Sequence, residues 1–197
     1  MKKIAITGNI GSGKTWVCAL FERMGIPVFY SDTEAKKLYD IPKIKSQITQ
    51  RLGDACYDQH GQLNRAYLAQ LIFQNDEARR FVERTLYPAL TNWFTEWCDQ
   101  QNAPYVLFES ALVFEKHLEG LFDAVIMVSA PESTRIHRVM RRDRCDENAI
   151  RSRIQRQWPE EKKIIRSQYI IRHDNDDDEA KLLQQVRHID ACIRSDI

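Results

Sequence analysis

The segment Gly8-Asn9-Ile10-Gly11-Ser12-Gly13-Lys14-Thr15 constrains this chain more than any other. It fits the pattern G-x-x-x-x-G-K-S/T in full. A short apolar, β-branched run, Lys2–Thr7, precedes it, and a helical pattern, Lys14–Met24, follows until Gly25 stops it. The whole chain holds seven glycines, and three of them, Gly8, Gly11 and Gly13, fall in this one loop. A sequence sparing with glycine that concentrates it at one place needs unusual backbone there. The physical use is direct. Consecutive N–H groups must converge on phosphate oxygens, and side chains at the glycine positions would block that approach. A helix starting near Lys14 adds unpaired amides and the positive end of its dipole. Lys14 is placed to reach the β- and γ-phosphates of a nucleotide such as ATP, and the Thr15 hydroxyl to ligate Mg²⁺.

The rest of the chain alternates strand and helix. Ile26–Tyr30 reads as a second strand, Tyr105–Phe108 as a third, Ala124–Ser129 as a fourth and Tyr169–Ile171 as a last short one. Thr33 to Asn102 is mostly helical in pattern, broken at Gly53 and Gly61, with Pro88 kinking or starting a helix. Pro131-Glu132-Ser133 opens another helix, Arg135 to Arg166 continues helical with an interruption at Pro159, and Glu179 to Ile193 forms an amphipathic end. The expected fold is α/β: a parallel sheet flanked by helices, of the phosphate-loop NTPase kind. A core of residues 1–32, 103–134 and 167–197 would carry a helical insert, 33–102, and an arginine-rich lid, 135–166.

Bulk properties narrow the class. At 197 residues, 43% apolar and 29% charged, the chain reads as a packed domain and not as a disordered one. Its 29 basic against 28 acidic residues argue weakly against coating nucleic acid. Runs such as Ala124–Val128 are far too short to span a membrane, and Met1-Lys2-Lys3 opens no secretory signal. The five cysteines are odd in number, widely spaced and form no C-x-x-C pair, so reduced thiols in a cytoplasmic protein are expected. The acidic run 174–179 reads as a solvated turn.

A phosphate loop alone does not separate kinase, motor and switch. No Asn or Thr is followed by Lys-x-Asp, so the guanine-reading segment of a GTPase is missing. Asp32 follows the second strand, at the carboxyl end where the ligand crevice of such a sheet opens. It is either the carboxylate that accepts a proton from an attacking hydroxyl or a helix N-cap. Glu109 ends the third strand and is either a Mg²⁺ water-shell carboxylate or a structural one. Eight arginines lie between 135 and 156, of which Arg138, Arg141 and Arg142 share one stretch of helix. Guanidinium forks suit phosphate oxygens and the charge of phosphoryl transfer. RNA binding is the rival reading of that stripe. Trp158 before Pro159 is either an adenine-stacking ring or a packing one.

Several segments together resemble the dephospho-coenzyme A kinase family. ITGNIGSGKTWV is similar to that family's ITGGIGSGKSTV, and FYSDTEAKKL to its D-A-D-x-x-A-R, which puts Asp32 on the catalytic aspartate. Gly61-Gln62-Leu63-Asn64-Arg65 resembles D-G-x-L-D-R, Leu71-Ile72-Phe73 resembles L-x-x-x-V-F, Ala111–Glu115 resembles P-L-L-F-E, and Val139–Asp143 resembles R-x-x-x-R-D. The similarity covers nearly the whole chain in order. Lys36 replaces an arginine, Tyr87 a histidine, Ala111 a proline, and Ile171-Arg172-His173 stands for I-D-N. The resemblance implies a kinase that moves the γ-phosphate of ATP to the ribose 3′-hydroxyl of dephospho-CoA with Mg²⁺. It implies Lys14, Asp32 and Arg141 as catalytic residues, residues 8–15 with Arg138 and Arg142 around ATP, and Asp32, Lys36 and Arg65 at the acceptor. Thr15 and Glu109 would serve the metal. The rivals are a kinase for another nucleoside or nucleotide, and a nucleotide-dependent binding module that transfers nothing.

Overall fold

A computed structural model describes residues 1–174 and 179–196. In chain order it runs β1 (Lys2–Thr7), α1 (Lys14–Arg23), β2 (Val28–Tyr30), α2 (Ser31–Leu38), α3 (Pro42–Leu52), α4 (Arg65–Gln74) and α5 (Asp76–Asp99). There follow β3 (Tyr105–Glu109), β4 (Ala124–Ser129), α6 (Glu132–Asp143), α7 (Glu147–Ile154), α8 (Glu160–Ile164), β5 (Tyr169–Arg172) and α9 (Glu179–Ser195). The chain divides into two compact units, Met1–Tyr30 with Gln101–Ile197, and Ser31–Gln100.

The first unit is built on a parallel five-stranded sheet in the order β2-β3-β1-β4-β5. Strand β1 lies at its centre, with Ile6 opposite Glu109 of β3 and Ile126 of β4. Side chains alternate across it. Ile4 and Ile6 pack with Val17 and Phe21 of α1 and Val186 and Ile189 of α9, while Ala5 between them joins Val113, Phe114 and Val125. Both faces are thus apolar and covered, as parallel sheets require. From β1 the chain crosses to β2 on one side, and from β3 it crosses to β4 on the other. The carboxyl ends of neighbouring β1 and β3 therefore form the topological switch point, where such a sheet opens its ligand crevice. One of those ends is the glycine-rich loop and the other is Glu109.

Strand β2 is shorter than the Ile26–Tyr30 expected, because Pro27 has no N–H for the ladder and contributes only its carbonyl, which accepts from the Leu107 amide at 2.9 Å. The segment expected to be helical from Arg135 to Arg166 with one interruption has two, after Asp143 and between 154 and 160. Arg144 ends α6 in a left-handed conformation, and the Asp146 carboxylate then caps α7 by accepting the Ala149 amide. Helix α9 runs two residues beyond Ile193.

The second unit is all helical. Asn64 caps α4 and Asn75 caps α5, so Pro88 does not start a helix. Helix α5 continues through it, with the Thr91 hydroxyl donating to the carbonyls of Tyr87 and Pro88. The Trp93 indole N–H donates to Glu34 at 2.8 Å, tying α5 to α2.

Candidate active site

Gly11 and Gly13 show why the loop needs glycine. Both sit at positive φ, 80° and 90°. A Cβ on Gly11 would lie 2.4 Å from the Arg135 carbonyl oxygen, and one on Gly13 would meet the His173 ring at 2.2 Å. The loop is therefore strained for other residues and crowded from outside as well. Within it the Ser12 amide donates to the Asn9 carbonyl at 3.0 Å, and the Ile10 amide to Gln157 Oε1 at 2.8 Å. Not all of the loop's amides therefore point at a ligand, since these two hold its shape. The first-turn amides of α1, from Lys14 and Thr15 on, have no intrahelical acceptors by helix geometry.

Lys14 curls over the loop. Its Nζ donates to the Gly8 carbonyl at 3.0 Å and stands 3.9 Å from Glu109 Oε1. Both side chains are only 11% exposed, so this ion pair is shielded. Glu109 also contributes, after burial itself, to pushing the neighbouring Cys18 thiol up, which leaves that cysteine protonated. Thr15 is exposed at the head of α1.

The arginines separate by depth. Arg138 lies on the loop, with Nη1 3.4 Å from the Ser12 carbonyl and Nη2 donating to the carbonyls of His173 and Asp174. Arg141 is exposed. Arg142 is exposed too and grips Asp143 through Nε and Nη2, while Arg153 reaches the same carboxylate at 2.8 Å. Sequence reasoning passed over Arg135, which is buried at 4% exposure, donates to the Ala130 carbonyl and pairs with Glu160. Its spacing of three from Arg138 puts the two on neighbouring positions of α6, but nothing local marks it as buried. A cavity of about 480 Å³ opens beside the loop, lined among others by Asn9, Arg135, Trp158 and Glu160. Among its lining residues, buried Asn9 Oδ1 and Arg135 Nη1 have no hydrogen-bond partner among the described residues, and Glu160 Oε2 has only its ion pair with Arg135.

Trp158 is a packing residue: one face stacks on Phe114 and Lys162 Nζ lies 3.6 Å from the ring centre. A further pair joins a lysine with no local signal in the sequence to the last residue of the Ala111–Glu115 segment. Lys163 is fully buried, and its Nζ reaches Glu115 at 2.7 Å and the Ala111 carbonyl at 3.1 Å. Burial pulls the Lys163 ammonium down and Glu115 partly restores it.

In the helical unit, Asp32 lies in the first turn of α2, exposed, with Lys36 one turn further along the same helix and also exposed. The expected N-cap position thus falls inside the helix. Arg65 opens α4, exposed. Its charge counters the upward push that burial gives the Tyr39 phenol, so the two lie near each other. Residues 175–178 of the acidic turn lie outside the described residues.

These features match known proteins over nearly the whole chain. The family described as CoaE, dephospho-CoA kinase, matches residues 2–179. The chain belongs to the dephospho-CoA kinase family. A dephospho-CoA kinase of Bacteroides fragilis is 32% identical over 193 residues, covering 97% of this chain and 92% of that one. The crystal structure of TT1252 from Thermus thermophilus superposes with a TM-score of 0.86 at 29% identity, covering 97% and 96% of the two chains. The dephospho-CoA kinase of Campylobacter jejuni shares the fold, with a TM-score of 0.72 at 22% identity over 99% and 98%. The dephospho-CoA kinase family fold thus carries this chain's phosphate loop, and the chain is an ATP-dependent kinase of that family.

Proposed function

We propose that the chain transfers the γ-phosphate of ATP to the ribose 3′-hydroxyl of dephospho-CoA, giving coenzyme A and ADP. The observation that carries the nucleotide half is the cradle at Gly11 and Gly13, closed by Lys14 and backed by Glu109. The acceptor half rests on the family. In the reaction the acceptor oxygen bonds to the γ-phosphorus as the bond to the ADP oxygen breaks, and the hydroxyl proton passes to the Asp32 carboxylate. Lys14 follows the charge on the transferred group, and loop amides hold the β-phosphate. Arg138, already seated on the loop, flanks the nucleotide. Arg141 and Arg142 belong to a lid that excludes water on closing. Lys36 and Arg65 bind the acceptor's phosphates.

Magnesium fits the donor set. The Thr15 hydroxyl and the shielded Glu109 carboxylate are hard oxygen ligands at the switch point, and few protein ligands suffice for an ion that keeps waters and phosphate oxygens. Its chemistry there is to neutralise charge across the β- and γ-oxygens. No helix among the described residues is long and apolar enough to cross a membrane.

The test is a panel of acceptors in a coupled ADP-release assay. Dephospho-CoA should be phosphorylated at least about tenfold more efficiently than AMP, CMP or nucleosides, the low end of what a single small difference in pocket contacts gives. Preference for a nucleoside or nucleotide would overturn the acceptor. ATP binding without transfer to any of them would favour a binding module.

A further inference from the structure

A connected set of bonds leads from the buried Lys163–Glu115 pair to the phosphate loop, and it is made by groups that no step of the proposed chemistry uses. Glu115 Oε1 holds the Lys163 ammonium at 2.7 Å and also accepts the Trp158 amide at 2.8 Å. The Trp158 carbonyl in turn accepts the Asn9 side-chain amide at 3.0 Å, and Gln157 Oε1, one residue earlier, accepts the Ile10 amide at 2.8 Å. Phe114 and Lys162 clamp the Trp158 indole, so the dipeptide 157–158 has little freedom to shift.

A buried ion pair is a poor device for stability alone. Its desolvation cancels much of its attraction, and an apolar pair of the same size often serves as well. What it adds here is direction, because one carboxylate oxygen is fixed in line with one backbone amide. Asn9 and Ile10 begin the stretch whose following amides must meet phosphate. A loop already held in its binding shape does not have to be ordered when the ligand arrives.

We propose that Lys163 and Glu115, acting through Trp158 and Gln157, are positioning residues that pre-form the Asn9–Ile10 edge of the phosphate loop and so set the affinity for ATP. The inference rests on the nucleotide half of the reading above and is independent of the acceptor.

The test pairs Glu115→Met/Lys163→Met with Gln157→Ala, measuring ATP binding by calorimetry with magnesium, melting temperature, and steady-state kinetics. The double variant replaces the ion pair by apolar side chains of similar length, so its melting temperature should stay near that of the parent. Its Kd and KM for ATP should still rise about tenfold, the worth of one to two hydrogen bonds. The value of kcat should fall less than about threefold, and the acceptor KM should hold. Gln157→Ala should behave alike with a smaller rise of about fivefold. A merely structural role would give the opposite split, with a lower melting temperature and less active protein but an unchanged KM for ATP. Kd within twofold of the parent in a folded double variant would overturn the proposal. If the double variant does not fold, Gln157→Ala decides by the same criterion. A parent chain that retains no ATP would instead sink the nucleotide reading itself, and this inference with it.

Discussion

The sheet unit and the helical unit hold their proposed site residues in different ways. In the sheet unit the phosphate loop is enclosed: Asn9 and Ser12 are buried, Lys14 and Glu109 are nearly so, and each wall of the loop is a named neighbour. In the helical unit Asp32, Lys36 and Arg65 all stand exposed on helix surfaces. A triphosphate tail is the same in every ATP-using enzyme, so its cradle can be rigid and sterically specified. The residues proposed for the acceptor come from two helices, α2 and α4, and none of them is enclosed by neighbours in the same way. The expectation is that substitutions in the first set act on chemistry and those in the second on acceptor affinity, with Asp32 the one exception.

Lys14→Ala is the hardest test of the enclosed half. Removing a shielded charge that the proposed mechanism assigns to the transferred group should lower kcat by about 10³, with the acceptor KM little changed, in the ADP-release assay. Near-normal turnover would break the contrast at its stronger end. Asp32→Asn should come next, with kcat down by about 10² and the acceptor KM within a few-fold, as general-base loss requires. A change in KM alone would return Asp32 to the exposed binding residues around it. Lys36→Ala should raise the acceptor KM by about tenfold and leave kcat within about threefold. A rise in the KM for ATP instead would mean that the two units do not divide the substrates as proposed.

The same contrast explains what was legible in the sequence. The phosphate loop could be read because glycine, lysine and threonine at fixed spacing answer a steric demand that leaves few alternatives. The strands and their gathering into a parallel sheet followed from short apolar runs such as AVIMVS, which length and composition identify, whereas the order of the strands rests on long-range pairing that no local run carries. Arginine depth was not legible. Arg135, Arg138, Arg141 and Arg142 have the same local chemistry, and only the packing of α6 over Gly11 decides that Arg135 is buried and Arg138 lies on the loop while the others face solvent. Lys162 and Lys163 make the point most sharply, since adjacent identical residues end as a ring contact and a fully buried ion pair. The break after Asp143 was missed because it depends on Arg144 adopting a left-handed turn, which its residue type does not announce.

The smallest predicted effect asks whether exposure or location underlies the contrast. Asp143 is in the sheet unit but on the outer segment, where Arg142 first and Arg153 second hold its carboxyl well below the usual carboxylate range. Because folding lowers this pKa below the ordinary carboxylate value of about 3.9, its contribution to stability is complete above that value and is lost as pH falls further, through the folded-state value. The side chain is 27% exposed and both arginines more than half, so solvent and salt screen most of the gain. A carbon-detected NMR titration should show Asp143 still ionised at pH 3, and Arg153→Ala should move its midpoint upward, less so in 0.5 M salt. An ordinary midpoint in the parent would mean the three-residue network does not persist in solution. A depressed midpoint that ignores salt would mean that this outer segment is as enclosed as the loop, and exposure would no longer separate the two kinds of site.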